Sequence, residues 1–296
     1  MKPTDAVIEV RDLHKKYGAT DAVNGLNLNV RPGRCYGFFG RNGAGKTTTI
    51  KCLLNLLKPT QGFVRVFGRD PAREEVEVKS RLAYVPDQVA FYPWMSVGET
   101  LRYLQSFRRC WNVELEKDLL ARFDLDASKL TSALSKGQRT QLALIAAVCP
   151  EPELLVLDEP TSGLDPIVRR EFIETVIGAY QEADPGRRTI LVSTHLIREF
   201  EGLIDEFTII SGGREVVTME SDHARAQFQR VRARFMHAPP DLAFAAPRSM
   251  RREGREIEMV LHDAQPELIE RLRSYPLESF DVESLSLEEV FVAALK

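Results

Sequence analysis

Gly40-Arg41-Asn42-Gly43-Ala44-Gly45-Lys46-Thr47 fits the pattern G-x-x-x-x-G-K-[ST], a loop that wraps a phosphate chain. Its glycines let the backbone turn tightly and bring N–H groups close to an anion. The Lys46 amine would reach the β- and γ-phosphates, and the Thr47 hydroxyl would ligate Mg²⁺. Gly40, Asn42, Gly43, Ala44, Gly45 and Thr48 complete the cradle. The flanks agree. Residues 35–39 read as a short buried strand, and residues 48–57 as a helix whose positive N-terminal end faces the phosphates.

Outward from the loop, strands and helices alternate. Residues 6–10 and 22–30 read as strands, with Pro32-Gly33 as a turn. Residues 62–67 and 82–85 are further strands. Residues 96–107 and 113–123 read as helices, the first with Ser96 as N-cap and Glu99 at the capping-box position. A helix at 138–148 ends before Pro150 and Pro152. Residues 154–157 form a continuous apolar strand of the kind found inside a covered parallel sheet. A long amphipathic helix at 166–183 starts on Pro166. Residues 189–192 and 207–210 are two more buried strands. This alternation predicts an α/β architecture.

Near residue 220 the pattern changes. Arg225, Arg230, Arg232 and Arg234 cluster, Pro239-Pro240 follow, then a strand at 257–261, a helix at 266–274 and a last helix at 286–296. The reading is a nucleotide domain over 1–220, with a helical subdomain at about 88–150, and a small αβ accessory domain over 221–296. The arginines could suggest RNA binding. Glu253, Glu256, Glu258, Glu267 and Glu270 balance them, so no basic field and no nucleic-acid partner is expected.

Formal net charge is −3, which implies no bulk attraction to nucleic acid or anionic membrane. Four cysteines without C-x-x-C spacing argue against a zinc site or a disulfide framework. The N-terminus lacks the apolar core of a signal peptide, and the most apolar run, 142–149, is far short of the ~18 residues that cross a bilayer. The chain is expected in the cytosol, with any membrane role supplied by a partner.

A second nucleotide motif follows the loop. Leu154-Leu155-Val156-Leu157-Asp158-Glu159 is an apolar strand ending in two carboxylates. Asp158 can hold Mg²⁺ opposite Thr47, and Glu159 can accept a proton from the attacking water. Between the two motifs, Leu134-Ser135-Lys136-Gly137-Gln138 opens a helix. With these residues the chain resembles the ATP-binding subunit of an ABC transporter, whose L-S-G-G-Q signature sits at this place. The resemblance covers residues 5 to about 220. It implies a P-loop NTPase core with an antiparallel β subdomain and a helical subdomain. One signature glycine is replaced by Lys136.

The resemblance implies further roles. Ser135, Gly137 and Gln138 would bind the γ-phosphate held by a second subunit, using a helix N-terminus as an anion site. Tyr17 matches the aromatic that stacks on adenine. Asp165, in Ser162-Gly163-Leu164-Asp165, matches a loop that crosses the dimer interface. His195 matches the switch histidine that contacts the γ-phosphate. The family commonly has a metal- and water-contacting glutamine directly after a strand. Here Asp87 stands there with Gln88 one place later, and extended neighbours point to opposite sides. Either Asp87 or Gln88 fills the role. Phe91-Tyr92-Pro93-Trp94-Met95 lies where the family receives a helix of the membrane subunit, although these side chains also suit a core.

The implied function is MgATP binding and hydrolysis in a head-to-tail homodimer or heterodimer, with Glu159, His195 and Lys46 catalytic. The dimer would drive a separate permease from the cytoplasmic face of the membrane. The ending Ser284-Leu285-Ser286-Leu287-Glu288-Glu289-Val290-Phe291 resembles the ABC-2 type, so export is the expected direction. The alternative is a soluble ATPase of the same family acting on ribosomes or nucleic acid.

Overall fold

Alternating apolar residues open the chain as a hairpin. β1 (Ile8–Tyr17) and β2 (Thr20–Val30) pair antiparallel and bury Ile8, Val10, Leu13, Val23, Leu26 and Leu28 on one face. β1 continues well past the end expected at residue 10. A register shift between Val10 and Leu13, with Asp12 at φ 45°, forms a bulge that carries pairing over the polar residues. The chain then runs β3 (Cys35–Gly40), α1 (Lys46–Leu53), β4 (Gln61–Val66), α2 (Glu75–Arg81), β5 (Leu82–Val85), α3 (Val97–Gln105), α4 (Val113–Arg122) and α5 (Lys136–Val148). Next come β6 (Leu154–Asp158), α6 (Pro166–Gln181), β7 (Thr189–Thr194), α7 (Ile197–Phe200), β8 (Glu206–Ser211) and β9 (Arg214–Glu220). The last part is α8 (Ser221–Gln227), β10 (Phe228–Phe235), β11 (Ser249–Glu253), β12 (Glu256–His262), α9 (Pro266–Arg273), β13 (Leu277–Ser284) and α10 (Leu287–Ala294). This computed structural model describes residues 6–181, 188–240, 249–262 and 265–295.

Among the described residues the strands make three sheets. β2-β1-β4 is antiparallel. The central sheet, β5-β6-β7-β3-β8-β9, is parallel except for β9. Every residue of β6 and β7 is buried, as a parallel sheet covered on both faces requires. Side chains alternate between its two layers. Tyr36, Phe38, Val156 and Leu191 pack with α1 and the hairpin sheet, while Phe39, Leu155, Leu157 and Val192 pack toward the helices on the other side.

The helix expected at 48–57 begins at Lys46 and stops at Leu53, because Asn55 takes a left-handed φ of 55° that turns the chain toward β4. The helix expected from residue 138 starts at Lys136 on its Ser135 cap. The expected end of α6 at residue 183, and Lys296, lie outside the described residues. α2, α7, α8, β9, β10, β11 and β13 have no counterpart in the sequence reading.

The third sheet, β11-β12-β10-β13, explains the arginines. On β10, Val231, Ala233 and Phe235 face the apolar side of the sheet, where Leu268 and Leu272 of α9 pack. Arg230, Arg232 and Arg234 face the other way and meet Glu283, Glu258 and Glu278 at 3.2, 2.9 and 2.9 Å. Of the acids named from composition, Glu258 and Glu256 take part in these cross-strand pairs, while Glu253 pairs with Arg251 and Glu267 and Glu270 lie on α9. The change of pattern at residue 220 marks a new sheet, yet the core continues through it. Ala224, Phe228, Leu285, Leu287 and Val290 share one buried cluster with Ile197 and Phe200 of α7.

Candidate nucleotide-binding site

The phosphate loop spans β3 to α1. Gly43 and Gly45 have φ of 81° and 107°, values that side chains rarely adopt. A β-carbon on Gly45 would stand 2.4 Å from the Ala22 carbonyl oxygen, so the hairpin sheet presses the loop into shape from behind. Gly43 has no heavy atom within 4 Å of its missing β-carbon and faces an open cradle. α1 carries no side-chain cap and no acid in its first turn, which leaves its N-terminal N–H groups to an anion. Lys46 is buried, and its amine donates to the Gly40 carbonyl at 2.7 Å.

Parallel pairing of β6 with β7 brings Asp158 opposite Ser193, and Glu159 follows at the strand end. Glu159 Oε1 lies 2.9 Å from the Lys46 amine, and Oε2 lies 2.8 Å from His195 Nδ1. The Thr194 hydroxyl and the His195 N–H also donate to Oε2, at 3.2 and 3.3 Å. The three side chains expected to act on the phosphoryl group therefore meet at one carboxylate.

Asp158 is fully buried. Its Oδ1 accepts from the Ser193 hydroxyl at 3.1 Å, while Oδ2 has no partner among the described residues. Burial pushes its pKa up, against the opposing pull of the Thr47 and Ser193 hydroxyls. A buried carboxylate with an open oxygen beside a threonine hydroxyl suits a hard divalent cation. Asp87 is half-buried and its charge acts on both Asp158 and Tyr84, whereas Gln88 is exposed. Tyr84 and Ser193, both against Asp158, were not read from the sequence. The strand-end position of Asp158 signals that neighbouring strands supply such partners.

Tyr17 ends β1 and is 49% exposed, with the Lys15 amine 5.4 Å from the ring centre, open to a flat base. The signature residues lie elsewhere. Ser135 caps α5, its hydroxyl accepting from the Gln138 N–H at 3.1 Å while Gln138 Oε1 accepts from the Ser135 N–H at 3.2 Å. A β-carbon on Gly137 would sit 3.3 Å from Val168 Cγ1, against α6. Asp165 caps α6 through Oδ1, which accepts from Ile167 and Val168 N–H.

The aromatic stretch divides by burial. Phe91 packs toward the core, while Trp94 is 68% exposed and stacks near Tyr92, with Tyr103 and Phe107 continuing the row. Beside them lies a groove of about 650 Å³ lined by Tyr84, Val89, Phe91, Leu104, Phe107 and Arg108. A second cavity, about 610 Å³, opens at the phosphate loop between Arg41, Asn42, Gly43 and His195, with Phe291 of α10 in its wall. The sequence reading placed no residue of the C-terminal segment there.

A glycine loop between parallel strand and helix, an acidic pair on a neighbouring strand, an antiparallel hairpin sheet and a helical subdomain define an ATP-binding cassette of the P-loop NTPase class. A family model described as ABC transporter matches residues 23–162. The chain is 35% identical over 221 residues to the bacitracin transport ATP-binding protein of Bacillus licheniformis, covering 74% of this chain and 71% of that one. It is 36% identical over 219 residues to the Nod factor export ATP-binding protein I of Burkholderia orbicola, covering 71% and 70%. A solved ATP-binding subunit of an ABC transporter superposes with a TM-score of 0.67 at 29% identity, over 74% of this chain and 92% of that one. The chain belongs to the ATP-binding subunits of ABC transporters, and it binds and hydrolyses ATP.

Proposed function

We propose that two copies, or this chain and a related one, pair head to tail around two ATP molecules with Mg²⁺, and that this cycle drives export through a separate membrane subunit. The supporting observation is the Glu159 carboxylate, gripped by Lys46 and His195 at the mouth of a glycine cradle. Lys46 offers one amine to two anions. A triphosphate carries more charge than one carboxylate, so the amine turns to the β- and γ-phosphates and frees Glu159 Oε1. Glu159 then takes a proton from water as the water oxygen bonds the γ-phosphorus and the bond to the bridging oxygen breaks. To donate from Nε2 to the phosphoryl oxygens while Nδ1–H stays on Glu159 Oε2, the His195 ring must carry both protons.

Mg²⁺, when bound, neutralises charge on the β- and γ-phosphates. Thr47 and Asp158 would hold it, with Asp87 rather than Gln88 acting through water. Tyr17 would stack on adenine. Ser135 and Gln138 bond each other, Gln138 also accepts from Lys129, and Gly137 lies against Val168 of α6. They would therefore serve the ATP of the partner, with Asp165 in the crossing loop. The groove beside Phe91 would seat a helix of the membrane subunit, and the chain would then work on the cytoplasmic face. Export follows the ABC-2-like ending and the names of the relatives. The arginines of β10 are engaged with acids, which weighs against a nucleic-acid role.

Phosphate release and ATP binding test this reading. Glu159→Gln should keep ATP affinity while turnover falls by about 10²- to 10⁴-fold. Substantial release by that variant would remove Glu159 as the base. Lys46→Ala should weaken ATP binding roughly 30- to 100-fold, the loss of a charge-assisted contact.

A further inference from the structure

Lys136 is the one signature residue that departs from L-S-G-G-Q, and its side chain has a definite place. It is the first residue of α5. Its amine donates to the Ser162 carbonyl at 2.6 Å. A β-carbon on Gly163, which has φ 69°, would come within 2.8 Å of the same amine, so the lysine lies directly over the Ser162-Gly163 turn. That turn is tied onward, since the Ser162 N–H donates to the Glu159 carbonyl at 3.1 Å. Glu159 itself sits at a left-handed φ of 48°. A short covalent and hydrogen-bonded path therefore runs from the Lys136 amine through Ser162 to the backbone of Glu159.

We propose that Lys136 is a positioning residue. Its amine clips the signature turn to the 162–165 loop of the same subunit, so that both reach the partner as one rigid piece and Glu159 keeps its aim. The inference rests on the head-to-tail reading above. Ser162 and Gly163 have little side chain of their own to fix the turn. The turn is already closed on itself by the Leu164 N–H donating to the Thr161 carbonyl at 3.2 Å, and the cation on the Ser162 carbonyl adds the tie between this turn and α5. Lysine here is thus more than a tolerated replacement for glycine, because glycine cannot make the contact.

The test is steady-state ATP turnover of the full chain carrying Lys136→Met, Lys136→Gly and Lys136→Arg, with Ser135→Arg as a block on the signature. Met and Gly should each lower kcat about tenfold, the worth of one charge-assisted hydrogen bond, with KM for ATP within about twofold. Arg, which still donates to the Ser162 carbonyl, should return kcat to within about threefold. The Gly variant is the sharpest arm, since it restores the usual family residue. Wild-type kcat in both the Met and Gly variants, with Ser135→Arg inactive, overturns the role of Lys136 alone. A raised KM at unchanged kcat also overturns it, by making Lys136 a phosphate contact. Full turnover in Ser135→Arg would instead remove the head-to-tail reading on which it rests.

Discussion

Asp158 and Glu159 are adjacent carboxylates with opposite surroundings. Glu159 meets the Lys46 amine and the His195 ring, whereas Asp158 is buried beside Ser193 of β7 with one oxygen unpartnered among the described residues. Burial raises the Asp158 pKa in the fold above its ordinary 3.8. The sign follows from linkage. A carboxyl with a raised folded pKa costs stability wherever it must ionise, and that cost disappears as pH falls toward the unfolded value. Asp158→Asn should therefore raise the Tm of the nucleotide-free protein at neutral pH, with the gap to wild type closing as pH drops toward 3.8. The same variant should lose roughly 10²-fold or more in Mg²⁺-dependent hydrolysis. Thermal unfolding across pH, beside phosphate release, checks both halves. An unchanged Tm would mean that the buried charge is better solvated than its surroundings indicate.

At the scale of the element, the phosphate loop separates folding from binding within three residues. Gly45 is where the hairpin sheet presses, with the Ala22 oxygen 2.4 Å from a β-carbon site, and Gly43 is where the cradle is empty of protein atoms. Gly45→Ala should destabilise the fold by about 1–3 kcal/mol through clash and left-handed strain. Gly43→Ala meets no neighbour and should cost about 1 kcal/mol of strain, yet it should lower ATP affinity by filling the cradle. Denaturant midpoints and nucleotide titration of the two variants separate these effects. Equal stability losses with no change in ATP binding for Gly43→Ala would place the phosphates elsewhere.

At the scale of the molecule, the C-terminal helix joins the accessory sheet to the nucleotide domain. Ser286 caps α10, the Leu287 N–H donates to Glu201 Oε1 at 2.9 Å, and Arg198 pairs with Glu288. Glu289 faces the other way and meets Arg230 of β10 at 2.6 Å. Burial opposes the charge of Glu289, but the Ser286 backbone and hydroxyl and the Arg230 guanidinium outweigh it and bring the pKa down from 4.5 to about 2. A depressed folded pKa contributes stability that is complete above the unfolded value and is lost as pH falls through the folded one. Glu289→Gln should lower the denaturant midpoint at neutral pH, and its difference from wild type should fade between pH 4.5 and about 2. A difference that persists at pH 2 would assign the effect to packing of α10 instead of its charge.

By itself the sequence determined the parts whose physics is local. Glycine spacing sets the phosphate loop, Ser96 sets a helix start, and unbroken apolar runs mark β6 and β7 as covered strands. Hence the phosphate loop and the acidic pair were legible from one chain of letters, and the cassette from the resemblance that these motifs carry. Only the tertiary structure decided how distant residues share a charge. It brought Lys46 and His195 onto Glu159, left one oxygen of Asp158 unpartnered beside β7, laid Lys136 over Ser162, and set Phe291 beside the phosphate loop. Such contacts depend on which strands become neighbours and in what register, a property of the assembled sheet that no short run of residues encodes.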